Sequence, residues 1–141
     1  MTSISEKASI LHRAARNQTP VAQFSLSENY NLESAYQVQH ELIQLRQEEG
    51  FPIVGIKMGF TSHAKMKQMG VNDMIIGQLT SDMQLSKSQP LVKADCCHPR
   101  AEPEIAFRLS EDIDKPLNAQ EVMNYIDGVA AAIEVIDSRY E

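Results

Sequence analysis

Residues 98–109 constrain the fold most strongly, because acidic and apolar side chains alternate along this stretch. Successive side chains of a β-strand point to opposite faces, so residues i and i+2 share one face. A strand here places Glu102 and Glu104 on one face and Ile105 and Phe107 on the other. The sequence therefore predicts a two-faced strand, with paired carboxylates on one side and apolar side chains on the other.

The paired carboxylates need an explanation, because neighbouring negative charges repel and burial strengthens the repulsion. A divalent cation would relieve the repulsion between Glu102 and Glu104, since hard cations bind carboxylate oxygens. An exposed strand whose glutamates meet water, Arg100 or Arg108 explains the same pattern. The Glu-x-Glu pattern alone leaves both interpretations open.

Residues 129–137 form a second apolar run with one carboxylate, Glu134, at its centre. The run predicts a long strand, or a strand with a helical start. Because an unpaired buried charge is costly, Glu134 requires a cation, a buried base or a proton. One oxygen-ligated divalent ion would serve Glu102, Glu104 and Glu134 together.

Residues 51–60 form an apolar run that contains Gly55, Gly59 and a single charged residue, Lys57. The run predicts a buried strand. A lysine held in apolar surroundings is a candidate acid, base or anion-binding group. The alternative is a lysine whose stem lies along the strand while its amino group reaches water.

Capping patterns predict helices around these strands. Ser3 with Glu6, and Asn118 with Glu121, each form a capping-box pattern. Leu91 is predicted to begin a further strand. The predicted helices are residues 5–17, 32–49, 63–69 and a last helix that starts after Asn118 and stops at Gly128.

The composition is that of an ordinary globular protein, with 43% hydrophobic and 23% charged residues among 141. A net charge of −6 does not fit a basic nucleic-acid-binding surface. No apolar run approaches the ~20 residues of a transmembrane helix, and residues 1–7 lack a signal-peptide pattern. We therefore expect a cytoplasmic protein with neither nucleic-acid nor membrane partners.

Five blocks follow one another in the sequence: GIKMGFTS (55–62), KMKQMGV (65–71), IGQL (76–79), PRAEPEIAF (99–107) and AIEVIDS (132–138). Together they resemble the 2-oxo acid hydratase and decarboxylase group, which acts in the meta-cleavage of aromatic compounds. The group includes 2-oxopent-4-enoate hydratase, 4-oxalocrotonate decarboxylase and 2-oxohept-3-enedioate hydratase. It belongs to the fumarylacetoacetate hydrolase superfamily.

The resemblance implies an α+β fold. A helical N-terminal region, residues 1–50, would be followed by the first part of a mixed β-rich catalytic domain, residues 51–141. That domain would be a fumarylacetoacetate hydrolase-like β-roll. It would be incomplete at the C-terminus, since members of the group are considerably longer than this chain.

The resemblance also implies a site. Mg²⁺ or Mn²⁺ would be held by Glu102, Glu104 and Glu134, with Lys57 as the active-site lysine. Hydratases of the group usually carry an acidic residue at the position of Ile75. The apolar residue here favours the decarboxylases.

The implied function is that of a carbon–carbon lyase, which decarboxylates 4-oxalocrotonate (2-oxohex-3-enedioate) to 2-hydroxypenta-2,4-dienoate. Two alternatives stay open: a 2-oxopent-4-enoate or 2-oxohept-3-enedioate hydratase, and a truncated fragment that is inactive or depends on a partner. The implied partners are a small 2-oxo dicarboxylate substrate, further copies of the chain in an oligomer, and a hydratase subunit.

Overall fold

The structure is a computed structural model that describes residues 2–27, 29–86 and 88–141. Within these residues, helices combine with small antiparallel sheets, which confirms the predicted mixture of α and β structure. None of the described helices is long and apolar enough to cross a membrane. In chain order the elements are α1 (Ile4–Asn17), α2 (Leu32–Glu48), β1 (Ile53–Gly59), α3 (His63–Met69), β2 (Ile75–Thr80), β3 (Pro99–Leu109), α4 (Ala119–Val122) and β4 (Ile126–Asp137).

The chain forms two compact units. The first comprises Met1–Cys97 and Arg139–Glu141, and it contains α1, α2, α3 and the antiparallel pair β1–β2. The second comprises His98–Ser138, and it contains α4 and the antiparallel pair β3–β4. The division between residues 50 and 51 that the sequence suggests stays a prediction.

Helix α1 begins with the predicted capping box. The backbone N–H of Glu6 donates to Ser3 Oγ at 3.1 Å, and the backbone N–H of Ser3 donates to Glu6 Oε2 at 2.8 Å. These two bonds satisfy N–H groups that a helix start otherwise leaves unpaired. Helix α1 packs against α2, and the buried hydrophobic residues among the described part of the chain all come from these two helices: Ala8, Ala14, Val38 and Ile43.

Helix α2 is attached to the outer edge of β2. Tyr36 Oη accepts a hydrogen bond from the backbone N–H of Ile76, and Gln39 Nε2 donates to the backbone carbonyl of Ile76, both at 3.1 Å. Backbone groups at a sheet edge otherwise depend on water or on another strand. The two side chains thereby hold the β1–β2 pair against the helical part of the first unit.

The expectation that residues 51–60 form a buried strand is wrong for the described chain. Residues Ile53–Gly59 do form a strand, but Val54 and Ile56 are 56% and 64% exposed. Strand formation follows from local pattern, whereas burial depends on what covers the strand. The described residues leave this apolar side accessible.

The second unit is a long hairpin whose strands are joined through α4. The Asn118 and Glu121 capping box is present, but the helix lasts only through Val122 and passes through a 3₁₀ turn, Met123–Tyr125, into β4. The predicted helix up to Gly128 is therefore too long, because β-pairing with β3 already begins at Ile126. The prediction that a further strand starts at Leu91 is also wrong, since a 3₁₀ turn, Lys93–Asp95, follows.

Candidate metal centre

The register of the hairpin brings the three predicted carboxylates onto one face. Glu102 lies opposite Glu134, and Glu104 lies opposite Ala132. Because i and i+2 share a face, Glu104 lies beside Glu102 and diagonally across from Glu134. One carboxylate oxygen from each glutamate lies within 4.8 Å of those of the other two.

The spacing suits a divalent cation. Oxygens at the Mg²⁺–oxygen distance of about 2.1 Å from one point lie at most about 4.2 Å apart. Glu102 and Glu104 are exposed and Glu134 is half-buried, so small side-chain rotations bring their oxygens within that limit. Three carboxylates from one strand pair also match the oxygen donors that hard cations prefer. The residues present therefore fit a magnesium-type ion.

Two neighbours of the three carboxylates on this face are a small side chain and an arginine that pairs with another acid. Ala132 lies beside Glu134 on the same face, so no bulky side chain crowds the position opposite Glu104. Arg108, further along the face, donates from Nε to Asp127 Oδ1 at 2.7 Å. This hydrogen bond, with the negative charge of Asp127, raises the pKa of the Arg108 guanidinium. Arg108 thus engages Asp127, in contrast to the alternative in which it pairs with the glutamates.

Asp137 binds the backbone at the end of the hairpin where β3 begins and β4 ends. Asp137 Oδ1 accepts a hydrogen bond from the backbone N–H of His98 at 2.6 Å, and Pro99 lies opposite Asp137 in the register. Sequence inspection did not identify this role of Asp137. In the sequence, Asp137 is recognisable only as an acidic residue at the end of an apolar strand. Acidic residues are common at solvent-exposed strand ends.

Lys57 belongs to the first unit and lies in the middle of β1, opposite Gly77 of β2. The side chain is half-buried. A Cβ atom at Gly77 would lie 2.9 Å from Lys57 Cγ and 3.2 Å from Lys57 Cδ. The glycine therefore leaves the space in which the aliphatic stem of Lys57 lies. Sequence reasoning identified Lys57 but not the role of Gly77; only the register relates the two.

The roles of Glu102, Glu104 and Glu134 as metal ligands, and of Lys57 as a catalytic residue, stay predictions. The structure contributes the clustering of the three carboxylates within the second unit and the placement of the lysine over Gly77 within the first.

Comparisons with known proteins test the resemblance to the 2-oxo acid hydratase and decarboxylase group. No family model matches the sequence. A 4-oxalocrotonate decarboxylase of Pseudomonas sp is 41% identical over 137 residues, which are 97% of this chain and 54% of the relative. A 2-keto-4-pentenoate hydratase of Paraburkholderia xenovorans strain LB400 is 32% identical over 137 residues, 95% of this chain and 51% of the relative.

The fold also matches a solved structure, that of 4-oxalocrotonate decarboxylase from Pseudomonas putida G7 complexed with magnesium and adipate. The TM-score is 0.90 at 32% identity, over 98% of this chain and 53% of that one. The resemblance stated from the sequence is thereby confirmed. The chain is homologous to 4-oxalocrotonate decarboxylases and 2-keto-4-pentenoate hydratases, and it spans about half the length of the curated relatives it matches.

Proposed function

We propose that this chain contributes to a metal-dependent carbon–carbon lyase that converts 2-oxohex-3-enedioate into 2-hydroxypenta-2,4-dienoate and CO₂ during aromatic catabolism. The observation that carries the proposal is the cluster of Glu102, Glu104 and Glu134 on one hairpin face. Decarboxylation is favoured over hydration because a decarboxylase is 41% identical, whereas a hydratase matched over a similar length is 32% identical.

The names of the solved relatives support both the ion and the substrate class. One is complexed with magnesium and adipate, and another with calcium and acetate. Adipate is a six-carbon dicarboxylate, as is 2-oxohex-3-enedioate. We therefore propose Mg²⁺, with Mn²⁺ as the alternative, and a small 2-oxo dicarboxylate as the substrate.

The three glutamates would hold the cation at the end of the substrate that carries the C1 carboxylate and the C2 carbonyl. When bound, the ion supplies Lewis-acid stabilisation of the negative charge that develops on the C2 oxygen. In the reaction the C5–C6 bond breaks, CO₂ leaves, and the electron pair is delocalised through C4 and C3 towards that oxygen. Carboxylates placed by the register of one strand pair would fix the position of this end of the substrate.

We take the active-site role of Lys57 from the sequence resemblance. Its ammonium group can orient the departing C6 carboxylate by charge pairing, or it can move a proton to the product. The position of its stem over Gly77 limits the directions in which the amino group can extend. At Ile75, where hydratases of the group usually carry an acid, this chain offers no proton-transfer group, which also favours decarboxylation.

The reaction is tested by following 2-oxohex-3-enedioate in the ultraviolet with Mg²⁺ and with a chelator, while released CO₂ is measured. Magnesium-dependent loss of substrate with one CO₂ per turnover would support the proposal. Hydration of 2-hydroxypenta-2,4-dienoate without CO₂ release would instead establish the hydratase alternative. Turnover that is unaffected by the chelator or by Glu134→Gln would overturn the proposed site.

We further propose that the strands belong to a β-roll of the fumarylacetoacetate hydrolase type and that the active assembly is a cytoplasmic oligomer that associates with a hydratase subunit. These proposals rest on the sequence resemblance. Size measurement of the chain alone and with the matching hydratase tests the assembly.

A further inference from the structure

Helix α2 supplies two side chains that bind a single residue of β2. Tyr36 Oη accepts a hydrogen bond from the backbone N–H of Ile76, and Gln39 Nε2 donates one to the Ile76 carbonyl. In an antiparallel sheet, a hydrogen-bonded partner residue makes this same pair of bonds. Tyr36 and Gln39 lie three residues apart on α2, so both project from one face of the helix. At Ile76 they therefore take the place of a neighbouring strand.

The bonds to Ile76 also act on the residue next to it, Gly77. Backbone groups of successive residues in an antiparallel strand point alternately to its two sides. Those of Ile76 point towards α2, so those of Gly77 point towards β1, where Lys57 lies opposite. The backbone around Gly77 is thus held from both sides of β2.

Gly77 in turn limits where the side chain of Lys57 can lie. A Cβ atom on Gly77 would lie 2.9 Å from Lys57 Cγ, 3.2 Å from Cδ and 3.8 Å from Cε. Three consecutive carbons of the lysine stem therefore lie along this glycine. Because a lysine stem is long and flexible, this contact narrows the directions in which its ammonium group can extend.

We propose that Tyr36 and Gln39 are positioning residues for Lys57. By binding the Ile76 backbone they hold Gly77 in place, and Gly77 guides the lysine stem. The proposal rests on the active-site role proposed above for Lys57. It assigns Tyr36 and Gln39 no contact with the substrate, but it makes the rate of the reaction depend on helix α2.

A second contact of α2 allows positioning to be separated from general stability. Arg46, seven residues after Gln39, pairs with Asp82 just beyond the end of β2. Asp82 Oδ1 also accepts a hydrogen bond from Thr80 Oγ1 at 2.6 Å. Asp82 lies five residues after Gly77, so loss of its charge should weaken the attachment of β2 at the end remote from Lys57.

The test uses the 141-residue chain with Tyr36→Phe, Gln39→Met and the double variant, which remove the hydroxyl, the amide or both with little change of shape. Lysines are labelled by reductive ¹³C-methylation, and Lys57→Arg identifies the Lys57 signal in the NMR spectrum. We expect the double variant to move this signal towards that of a solvent-exposed lysine. The Ile76 amide should exchange about tenfold faster in Tyr36→Phe, because its acceptor is lost.

Turnover gives a second measurement. In the active assembly, the double variant should lower kcat about tenfold and leave KM and Mg²⁺ affinity nearly unchanged, since a displaced positioning group acts on the transition state. Gln37→Met, at an exposed glutamine of the same helix, should change neither the Lys57 signal nor kcat. Asp82→Asn should lower the melting temperature but likewise leave the Lys57 signal and kcat unchanged.

A displaced Lys57 signal together with a lower kcat, in a double variant that circular dichroism shows to be folded, supports the proposal. An unchanged signal in that variant, or an equal displacement by Asp82→Asn, overturns the positioning role. Unchanged turnover in Lys57→Ala would instead overturn the catalytic role on which the proposal rests. The two failures are distinguishable, because the methyl signal reports the position of the lysine without any turnover.

Discussion

At the scale of single residues, the three carboxylates make the sharpest prediction. Replacing Glu134 by Gln removes one charge and one ligand while keeping the side-chain shape. We expect Mg²⁺ affinity to fall about hundredfold, because ligand number and charge set the affinity of such sites. Calorimetric titration measures the change, and Glu111→Gln, an exposed glutamate of the same unit, is the control. Undiminished Mg²⁺ binding by Glu134→Gln would exclude Glu134 as a ligand.

The contact between Gly77 and Lys57 makes a second prediction at this scale. In Gly77→Ala, the new Cβ would lie 2.9 Å from Lys57 Cγ, so the lysine stem must move. We expect turnover by the active assembly to fall about tenfold to hundredfold, with Mg²⁺ affinity unchanged, since small displacements of positioning groups are costly.

Gly55→Ala is the control for that substitution. Its new Cβ would have only an ordinary contact of 4.0 Å, with Leu79 Cδ1. Equal turnover in the two alanine variants would show that the Lys57 stem does not depend on Gly77. Parallel losses of Mg²⁺ affinity and turnover would instead indicate general unfolding.

At the scale of helices and strands, the capping box of α1 makes a measurable contribution to the free energy of unfolding. Ser3→Ala removes the acceptor for the Glu6 N–H, and we expect the free energy of unfolding to fall by about 1 kcal/mol. Urea denaturation measures the loss. Ser5→Ala, an exposed change within the first turn, should be neutral or slightly stabilising because alanine is the better helix former. A neutral Ser3→Ala would mean that the α1 terminus is not part of the cooperative unit.

The contact between α1 and the end of α2 predicts a pH dependence. His12 Nε2 lies 2.9 Å from Glu49 Oε1, and Arg16 also pairs with Glu49; these hydrogen bonds lower the pKa of Glu49. A carboxyl whose pKa is lower in the folded state stabilises the fold above its unfolded pKa and loses that effect as pH falls through the folded value. Acidification below the ordinary glutamate range should therefore remove this contribution.

Thermal unfolding of Glu49→Gln checks this dependence. The variant should melt below the parent at pH 7, and the difference should be smaller at pH 3, because acid removes the contribution of the Glu49 charge. Glu48→Gln, the neighbouring exposed position, should leave the melting temperature unchanged at both pH values. A difference between parent and Glu49→Gln that persists at pH 3 would assign the effect to packing and not to charge.

The helices and strands also show which structural features the sequence patterns predict. The caps at Ser3 and Asn118 and the short helix His63–Met69 were all predicted, because each depends on neighbouring residues. The alternation along β3 likewise predicted its two faces. The start of β4 at Ile126 was missed, since strand pairing overrides the local helical pattern. The exposure of β1 was missed because burial depends on contacts that are distant in sequence.

At the scale of the whole molecule, the two units should differ in local stability. The described buried apolar residues belong to α1 and α2, whereas the hairpin unit exposes both of its faces. Amide hydrogens in regions with few buried contacts exchange through low-energy openings. We expect amides of β3 and β4 to exchange faster than those at the centres of α1 and α2. Equal protection in hydrogen-exchange mass spectrometry would show that contacts beyond its own two strands stabilise the hairpin.

The alternation of side chains along the hairpin makes its two faces thermodynamically dependent on each other. A one-residue slip of β4 against β3 would exchange the faces of that strand, so one register serves both the carboxylates and the apolar residues. Whatever fixes that register from one side lowers the entropy left to lose on the other. An ion on the carboxylate face and a group packed on the apolar face would then bind with positive cooperativity, and reciprocity requires each to raise the affinity of the other by the same factor.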